Sequence, residues 1–257
     1  MAAPLGGQKV LITREKKQAK EFARKVSQYG GIPVEVPLLK ISCKYDEDVI
    51  NLIQNQRQNK WLFFTSANGV DCFFQILNDY HVDQGLFSEA KFAVVGRKTA
   101  RALESYGYRA DFMPTTYNAE TMTNEFFAGY AYMEEPVLLV RGNWSRNELP
   151  DWFQEHGIQF QTLEVYETGY HFAMKEKLNA ILTQNDLDVI TFTSPSSVDA
   201  FMKMKETKLN YNLPIACIGT TTEKRASEAG FVNLLVPDEF TIDGMLARMG
   251  DYFEQKG

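Results

Sequence analysis

Apolar residues in this chain gather into short runs separated by mixed stretches, and the runs share one grammar. Residues 9–13, 60–65, 91–95, 136–141, 188–193 and 214–218 each have the length and the apolar or β-branched content of a buried strand. Each gives way to small or polar residues and then to a helical pattern. That alternation predicts a parallel α/β fold.

After Val10-Leu-Ile-Thr-Arg14, the residues Ala19, Phe22, Ala23 and Val26 recur at three- and four-residue spacing and stop at Gly30-Gly31. This is an amphipathic helix with a glycine stop. Leu149, Trp152 and Phe153 repeat the pattern after Pro136-Val-Leu-Leu-Val-Arg141, ending at His156-Gly157, where His156 suits the negative end of the helix dipole. Residues 33–42 and 160–169 alternate apolar with polar over part of their length. They predict half-exposed strands that connect rather than form sheet centre.

The pattern occurs twice. Val10-Leu-Ile-Thr-Arg14 aligns with Leu138-Leu-Val-Arg-Gly142 at an offset of 128, and Phe63-Phe-Thr-Ser66 aligns with Thr191-Phe-Thr-Ser194 at the same offset. Ala93-Val-Val-Gly-Arg-Lys-Thr99 then aligns with Ala216-Cys-Ile-Gly-Thr-Thr-Thr222 at 123, a register that Met113-Pro114 and Val236-Pro237 keep. Register held over so long a span identifies two diverged copies of one unit.

In an open parallel sheet, ligands bind outside the carboxyl ends of the strands. The residues there are Thr13-Arg14, Thr65-Ser66-Ala67, Gly96-Arg-Lys-Thr99, Arg141-Gly142-Asn143, Thr193-Ser-Pro-Ser-Ser197 and Gly219-Thr-Thr-Thr222. Any one of these junctions is explained by capping, since Ser, Thr and Asn satisfy the free N–H groups of a helix start. Six of them in two copies point further. Several helix N-termini together suit a ligand carrying several carboxylates or phosphates.

Nucleotide fingerprints do not fit. Lys98-Thr99 resembles the end of a P-loop, but Arg97 stands where Gly belongs, and no GxGxxG or GxSxG follows a strand. Dispersed His81, His156 and His171 exclude a zinc site or a histidine-centred triad as the leading reading. The acidic clusters Asp46-Glu-Asp48 and Glu134-Glu135 read as solvated linkers.

Composition adds limits. With 257 residues, 44% hydrophobic and 23% charged, the chain is long enough for one large domain or two ordinary ones. A formal charge of −6 provides no global basic field for nucleic acid. No apolar run nears the roughly 18 to 20 residues of a membrane-spanning helix, and the first residues lack a signal-peptide core, so a cytoplasmic, membrane-free protein is expected. Cys43, Cys72 and Cys217 are odd in number and lack metal-ligand spacing, so three plain buried thiols are expected. No sustained apolar surface stripe is evident, and a monomer is expected.

In order, the motifs resemble the uroporphyrinogen-III synthase family of the haem and sirohaem pathway. The matching pieces are Val10-Leu-Ile-Thr-Arg14, Phe64-Thr-Ser-Ala-Asn-Gly69, Val95-Gly-Arg-Lys-Thr-Ala100, Leu139-Val-Arg-Gly142, Val165-Tyr-Glu-Thr168, Phe192-Thr-Ser-Pro-Ser196 and Ile218-Gly-Thr-Thr-Thr222. The resemblance implies an α/β fold of two Rossmann-like parallel-sheet lobes joined by a two-stranded antiparallel connector. On that template lobe one is residues 1–36 and 171–257, lobe two is 43–160, and 37–42 with 161–170 are the connector strands. Repeats and lobes are then out of phase.

The resemblance also implies an activity. A lyase of this family cyclises hydroxymethylbilane, a linear tetrapyrrole, to uroporphyrinogen III in the interlobe cleft, with inversion of ring D, loss of water and a spiro intermediate. It requires no cofactor, metal or protein nucleophile, and hydroxymethylbilane synthase is the partner that would hand over the substrate. Tyr166, which on its own reads as a strand aromatic over core, matches the family's Tyr near the cleft and becomes the catalytic candidate. Substrate-binding candidates are Thr13, Arg14, Thr65, Ser66, Ala67, Gly96, Lys98, Thr99, Gly142, Ser194, Ser196, Ser197, Gly219, Thr221 and Thr222. Two other functions use such a scaffold: a two-lobed noncatalytic small-molecule binding module, and a nucleotide-using enzyme that predicts affinity for ATP or NAD.

Overall fold

The computed structural model describes residues 4–54, 61–116, 119–130, 136–210 and 212–256. Lys60 of the second predicted strand, the first three residues and the Glu134-Glu135 pair lie outside the described residues. Lys9–Ile12 (β1) is followed by Lys16–Gln28 (α1), Ile32–Glu35 (β2) and Leu39–Cys43 (β3). Next come Glu47–Gln54 (α2), Trp61–Phe64 (β4), Ala67–Asp79 (α3), Lys91–Val94 (β5), Arg97–Ser105 (α4) and Ala119–Tyr130 (α5). Val137–Gly142 (β6), Glu148–Glu155 (α6), Phe160–Tyr170 (β7), Lys175–Gln184 (α7) and Val189–Phe192 (β8) lead into the last third. It contains Pro195–Met204 (α8), Ile215–Cys217 (β9), Thr220–Glu228 (α9), Leu234–Leu235 (β10) and Ile242–Glu254 (α10).

The strands form two sheets, ordered β10-β9-β8-β1-β2 and β3-β7-β6-β4-β5. In the first, β1 runs parallel to β2 and β8, and β9 runs parallel to β8 and β10. In the second, β4 runs parallel to β5 and β6, and β6 to β7. The strand that heads each copy pairs with one strand of its own copy and with one of the other. β1, which heads the first copy, pairs with β8 of the second, and β6, which heads the second, pairs with β4 of the first.

The chain divides into two compact units, Met1–Lys40 with Gly169–Gly257 and Ile41–Thr168. Each sheet is covered on both faces, which is why its central strands read as unbroken apolar runs. In the first unit Leu11, Ile190 and Phe192 pack with Phe201 and Phe231, while Val10, Ile12 and Val189 pack on the other face with Phe22 and Met245. In the second, Leu62 and Phe64 pack with Phe73 and Val140, and Trp61 and Phe63 pack with Phe126 and Phe153. Successive residues alternate between the two layers, as the two-residue period of a strand requires.

Four expectations need correction. The stretch 33–42 is two strands: Val36, Pro37 and Leu38 separate β2 in the first sheet from β3 in the second. Pro37 has no N–H for a ladder and sits at the break, while Val36 and Leu38 are fully buried. The stretch 160–169 is more than a connector, because Phe160 to Tyr166 pair with β6 and the strand has neighbours on both sides. Its alternation comes from exposed Thr162 and half-buried Glu164 on one face and buried Leu163 and Val165 on the other. Glu47 opens α2 instead of lying in a linker, where its carboxylate complements the positive helix end.

Finally, Cys43 and Cys72 form a disulfide joining β3 to α3, their Cα atoms 5.1 Å apart. Sequence spacing is blind to this pairing because the strand and helix meet only in the folded chain. Cys217 alone is a free thiol, buried in β9, and burial with a smaller contribution from Glu223 pushes its pKa up to about 12. It stays protonated and unreactive at neutral pH.

The start of α10 is a close fit of backbone on backbone. Thr241 caps the helix by accepting the Gly244 N–H at 3.0 Å, and a Cβ on Gly244 would stand 2.2 Å from the carbonyl oxygen of Glu239. Gly244→Ala is expected to lose about 2 kcal/mol, the ordinary cost of forced overpacking. A lower urea midpoint at unchanged slope checks it. Gly129, with nothing within 4 Å of its added Cβ, is the control that tolerates Ala.

Candidate functional site

The two copies end their strands in matching ways. Ser66 caps α3 and Ser194 caps α8, both in extended conformation (φ −154°, ψ 155° and φ −163°, ψ 155°). Ser66 Oγ accepts the Gly69 N–H at 3.1 Å, and Ser194 Oγ accepts the Ser197 N–H at 3.2 Å. Gly96 and Gly219 begin α4 and α9, with no side chain to cap either helix. Their backbones are extended, so conformation alone does not demand glycine. At Gly219 the demand is steric, since a Cβ would lie 3.2 Å from the Phe240 ring.

In the first unit the candidates separate into inner and outer residues. Thr13 is fully buried and donates to the Thr191 carbonyl at 2.8 Å, while Thr191 donates to the Leu11 carbonyl at 2.7 Å. These hydroxyls stitch β1 to β8. Ser197 and Thr222 are also buried, whereas Thr221 is exposed. Ser194 and Ser196 are half-buried, with their Oγ atoms 3.0 Å apart at the start of α8. The Arg14 guanidinium rests on Gln18 Oε1 at 2.5 and 3.1 Å. Burial lowers its pKa against the opposing pull of Glu21 and Glu15. An arginine so held remains a cation at neutral pH.

In the second unit Thr65, Ser66 and Tyr166 line one cavity of about 410 Å³. Ala67, Gly96, Lys98 and Thr99 lie in the same unit but are not among its lining residues. Lys98 is exposed, and Thr99 is buried in the first turn of α4. Gly142 lies against the Tyr166 ring: a Cβ there would stand 2.3 Å from both Cε2 and Cζ.

Tyr166 owes its position to an irregularity. Opposite β7 the register shifts between Arg141 and Gly142, so Arg141 faces Glu164 and Gly142 faces Tyr166. Such a bulge re-aims a side chain. The Tyr166 side chain is buried, 8% exposed, with its hydroxyl 3.0 Å from Ser66 Oγ. Because Ser66 Oγ already accepts a backbone N–H, this hydroxyl pair can turn its hydrogens toward or away from a third oxygen with little rearrangement.

The cavity wall extends one turn beyond the Arg141-Gly142-Asn143 junction. Trp144, Ser145, Arg146, Glu148 and Leu149 also line the cavity, as do Val95 and Thr168. Asn143 fixes Thr168 by two bonds, donating from Nδ2 to the Thr168 carbonyl at 3.2 Å and accepting the Thr168 N–H at 2.9 Å. The signal was the polar run after Arg141-Gly142-Asn143. Arg146 and Glu148 form an exposed ion pair at 3.3 Å, which is worth little in stability. Among the described residues no group of three His, Cys, Asp or Glu side chains is placed to hold a metal ion, and no helix is long and apolar enough to cross a membrane.

Comparison with known proteins gives a consistent family. Residues 20–247 match the family model described as uroporphyrinogen-III synthase HemD. The chain is 29% identical over 251 residues to the porphyrin biosynthesis protein HemD of Ruminiclostridium josui, covering 97% of this chain and 49% of that protein. It therefore spans about half the length of that relative. Identity to the uroporphyrinogen-III synthase of Chlorobaculum parvum is 29% over 234 residues, 90% of this chain and 93% of the relative. The crystal structure of uroporphyrinogen-III synthetase from Helicobacter pylori 26695 superposes with a TM-score of 0.66 at 17% identity, covering 98% of this chain and all of the other. That likeness establishes the fold.

Proposed function

From the premise that the chain belongs to the uroporphyrinogen-III synthase HemD family, we propose that it is a cyclising lyase that converts hydroxymethylbilane to uroporphyrinogen III. The observation that carries this reading is the Tyr166–Ser66 hydroxyl pair on the wall of the second unit's cavity. Loss of the hydroxymethyl oxygen as water leaves an azafulvene cation. The substituted carbon of ring D attacks it, and the spiro intermediate fragments and recloses with that ring inverted.

Tyr166 serves as the group that hydrogen-bonds or protonates the departing hydroxyl, and Ser66 holds its phenol in place. Within each unit taken by itself, the N-termini of α3 and α4 and those of α8 and α9 offer N–H groups that favour anions such as the substrate's carboxylates. Ser194, Ser196 and Thr221 at α8 and α9, with Thr65 and Ser66 at α3, supply hydroxyls beside those N–H groups. The unaided bilane closes without inversion, so the protein's main contribution is to fix one conformation.

We read residues 1–36 with 171–257 as one lobe, 43–160 as the other, and 37–42 with 161–170 as antiparallel connector strands. Two hydrogen bonds support the antiparallel sense: Lys44 N–H to the Val165 carbonyl and His171 N–H to the Leu38 carbonyl, both 2.8 Å, so one number rises as the other falls.

The test couples the protein to hydroxymethylbilane synthase, oxidises the products and separates the porphyrin isomers. Isomer III in excess, formed faster than in a protein-free control, is expected. Isomer I alone at the control rate would remove the reading and leave a noncatalytic binding module.

A further inference from the structure

Every position of β6 is buried, yet its fifth residue is Arg141, 6% exposed. A guanidinium in such a place suffers desolvation, and an apolar residue of similar volume is often as stable or more so. The acceptors that Arg141 reaches among the described residues are both neutral. Nη2 donates to the Ser145 carbonyl and, at 3.0 Å, to Asn147 Oδ1, while Nε has no hydrogen-bond partner. A buried cation held only by neutral oxygens is poor economy for stability alone.

Both acceptors belong to the turn that walls the cavity. Ser145 Oγ accepts the Gly142 N–H at 3.1 Å, and the Ser145 N–H donates to the Gly142 carbonyl at 3.1 Å. Trp144, Ser145 and Arg146 face the cavity from this turn. Arg141 is therefore the post on which the turn hangs, and none of its hydrogen bonds among the described residues goes to a carboxylate.

We propose that Arg141 is a positioning residue for substrate binding. It holds the 143–147 turn in the shape that receives a carboxylate arm, and its buried charge biases that wall toward anions. The inference rests on the reading of the substrate as a polycarboxylate bilane. Arg141 hydrogen-bonds to Ser145 and Asn147 and not to the Tyr166–Ser66 pair, so its influence falls on binding rather than on the chemical step.

Three variants test it: Arg141→Met, Arg141→Lys and Asn147→Ala. Arg141→Met is expected to raise KM for hydroxymethylbilane about tenfold, the worth of a hydrogen bond to a charged group, with kcat within about twofold. Arg141→Lys, which keeps the charge but not the forked reach, should recover part of that loss. Asn147→Ala should raise KM about threefold, with Arg141 still in place and one of its two acceptors gone. The thermal midpoint of Arg141→Met should hold or rise, while exchange of the Gly142 and Ser145 amide hydrogens accelerates.

A wild-type KM in Arg141→Met, or a fall in kcat at unchanged KM, overturns the proposal. A lowered midpoint with wild-type KM in the Lys and Ala variants overturns it too, by showing a purely structural role. If the unmodified protein forms only isomer I, the functional reading fails instead. Amide exchange then decides Arg141 separately, and unaltered protection of Gly142 and Ser145 would refute its hold on the turn.

Discussion

Tyr166→Phe is expected to reduce isomer III formation by about 10²- to 10³-fold, the usual worth of a general acid, while leaving the fold intact. The substitution removes one oxygen and keeps the ring that lies against Gly142. Ser66 Oγ keeps its bond to the Gly69 N–H, so the start of α3 stays capped. The lost hydroxyl contact should cost no more than about 1 kcal/mol in stability. Single-turnover formation of isomer III, measured beside a thermal midpoint, separates the two effects. Near-normal turnover would mean that Tyr166 only covers the site and that departure of the hydroxyl is assisted from elsewhere.

The second large effect belongs to a residue with no side chain. Gly142→Ala places a carbon 2.3 Å from Cε2 and Cζ of Tyr166, where nonbonded carbons sit about 3.5–4.0 Å apart. The ring must shift by about an ångström or the strands must part, and either movement pulls the phenol from its 3.0 Å contact with Ser66. A displacement of that size costs roughly 10²-fold in rate. Overpacking adds about 1–3 kcal/mol of destabilisation. The decisive measurement is the double variant. If Gly142 acts by placing the Tyr166 hydroxyl, then Gly142→Ala in a Tyr166→Phe background adds little further loss of rate. Multiplication of the two losses would show that Gly142 matters for another reason, such as the approach of substrate to the backbone.

Much of the fold was legible because it follows local rules. Ala19, Phe22, Ala23 and Val26 announced α1 by their spacing, and all four are buried. The duplicated Thr-Ser phrases announced helix starts, and Ser66 and Ser194 are both N-caps with nearly the same backbone angles. Gly96 and Gly219 keep the parallel at their own offset. Capping depends on a few adjacent residues, so a repeated sequence repeats the geometry.

The candidate site was legible only in outline. Thr65, Ser66 and Tyr166 line one cavity, but Thr13 spends its hydroxyl on the Thr191 carbonyl inside the sheet. A threonine that ends a strand looks the same in either role until its neighbour strand is known. The turn from Trp144 to Leu149 was passed over, because a polar stretch after a strand reads as ordinary loop. Tyr166 stood out by family resemblance rather than by any local signal.

Periodicity, caps and an internal repeat thus determined, from the sequence by itself, that this protein is a duplicated parallel α/β chain with polar helix starts after its strands. Those features are set within a few residues along the chain, where side-chain spacing and backbone capping act. Tertiary structure alone decided that β1 pairs with β8 and β6 with β4, that Cys43 meets Cys72, that a bulge beside Gly142 turns Tyr166 toward Ser66, and that Arg141 is buried behind the cavity wall. Each of these depends on which distant surfaces meet. Both copies carry the same apolar faces, so partner choice rests on packing across the whole sheet and not on any pattern readable along one strand.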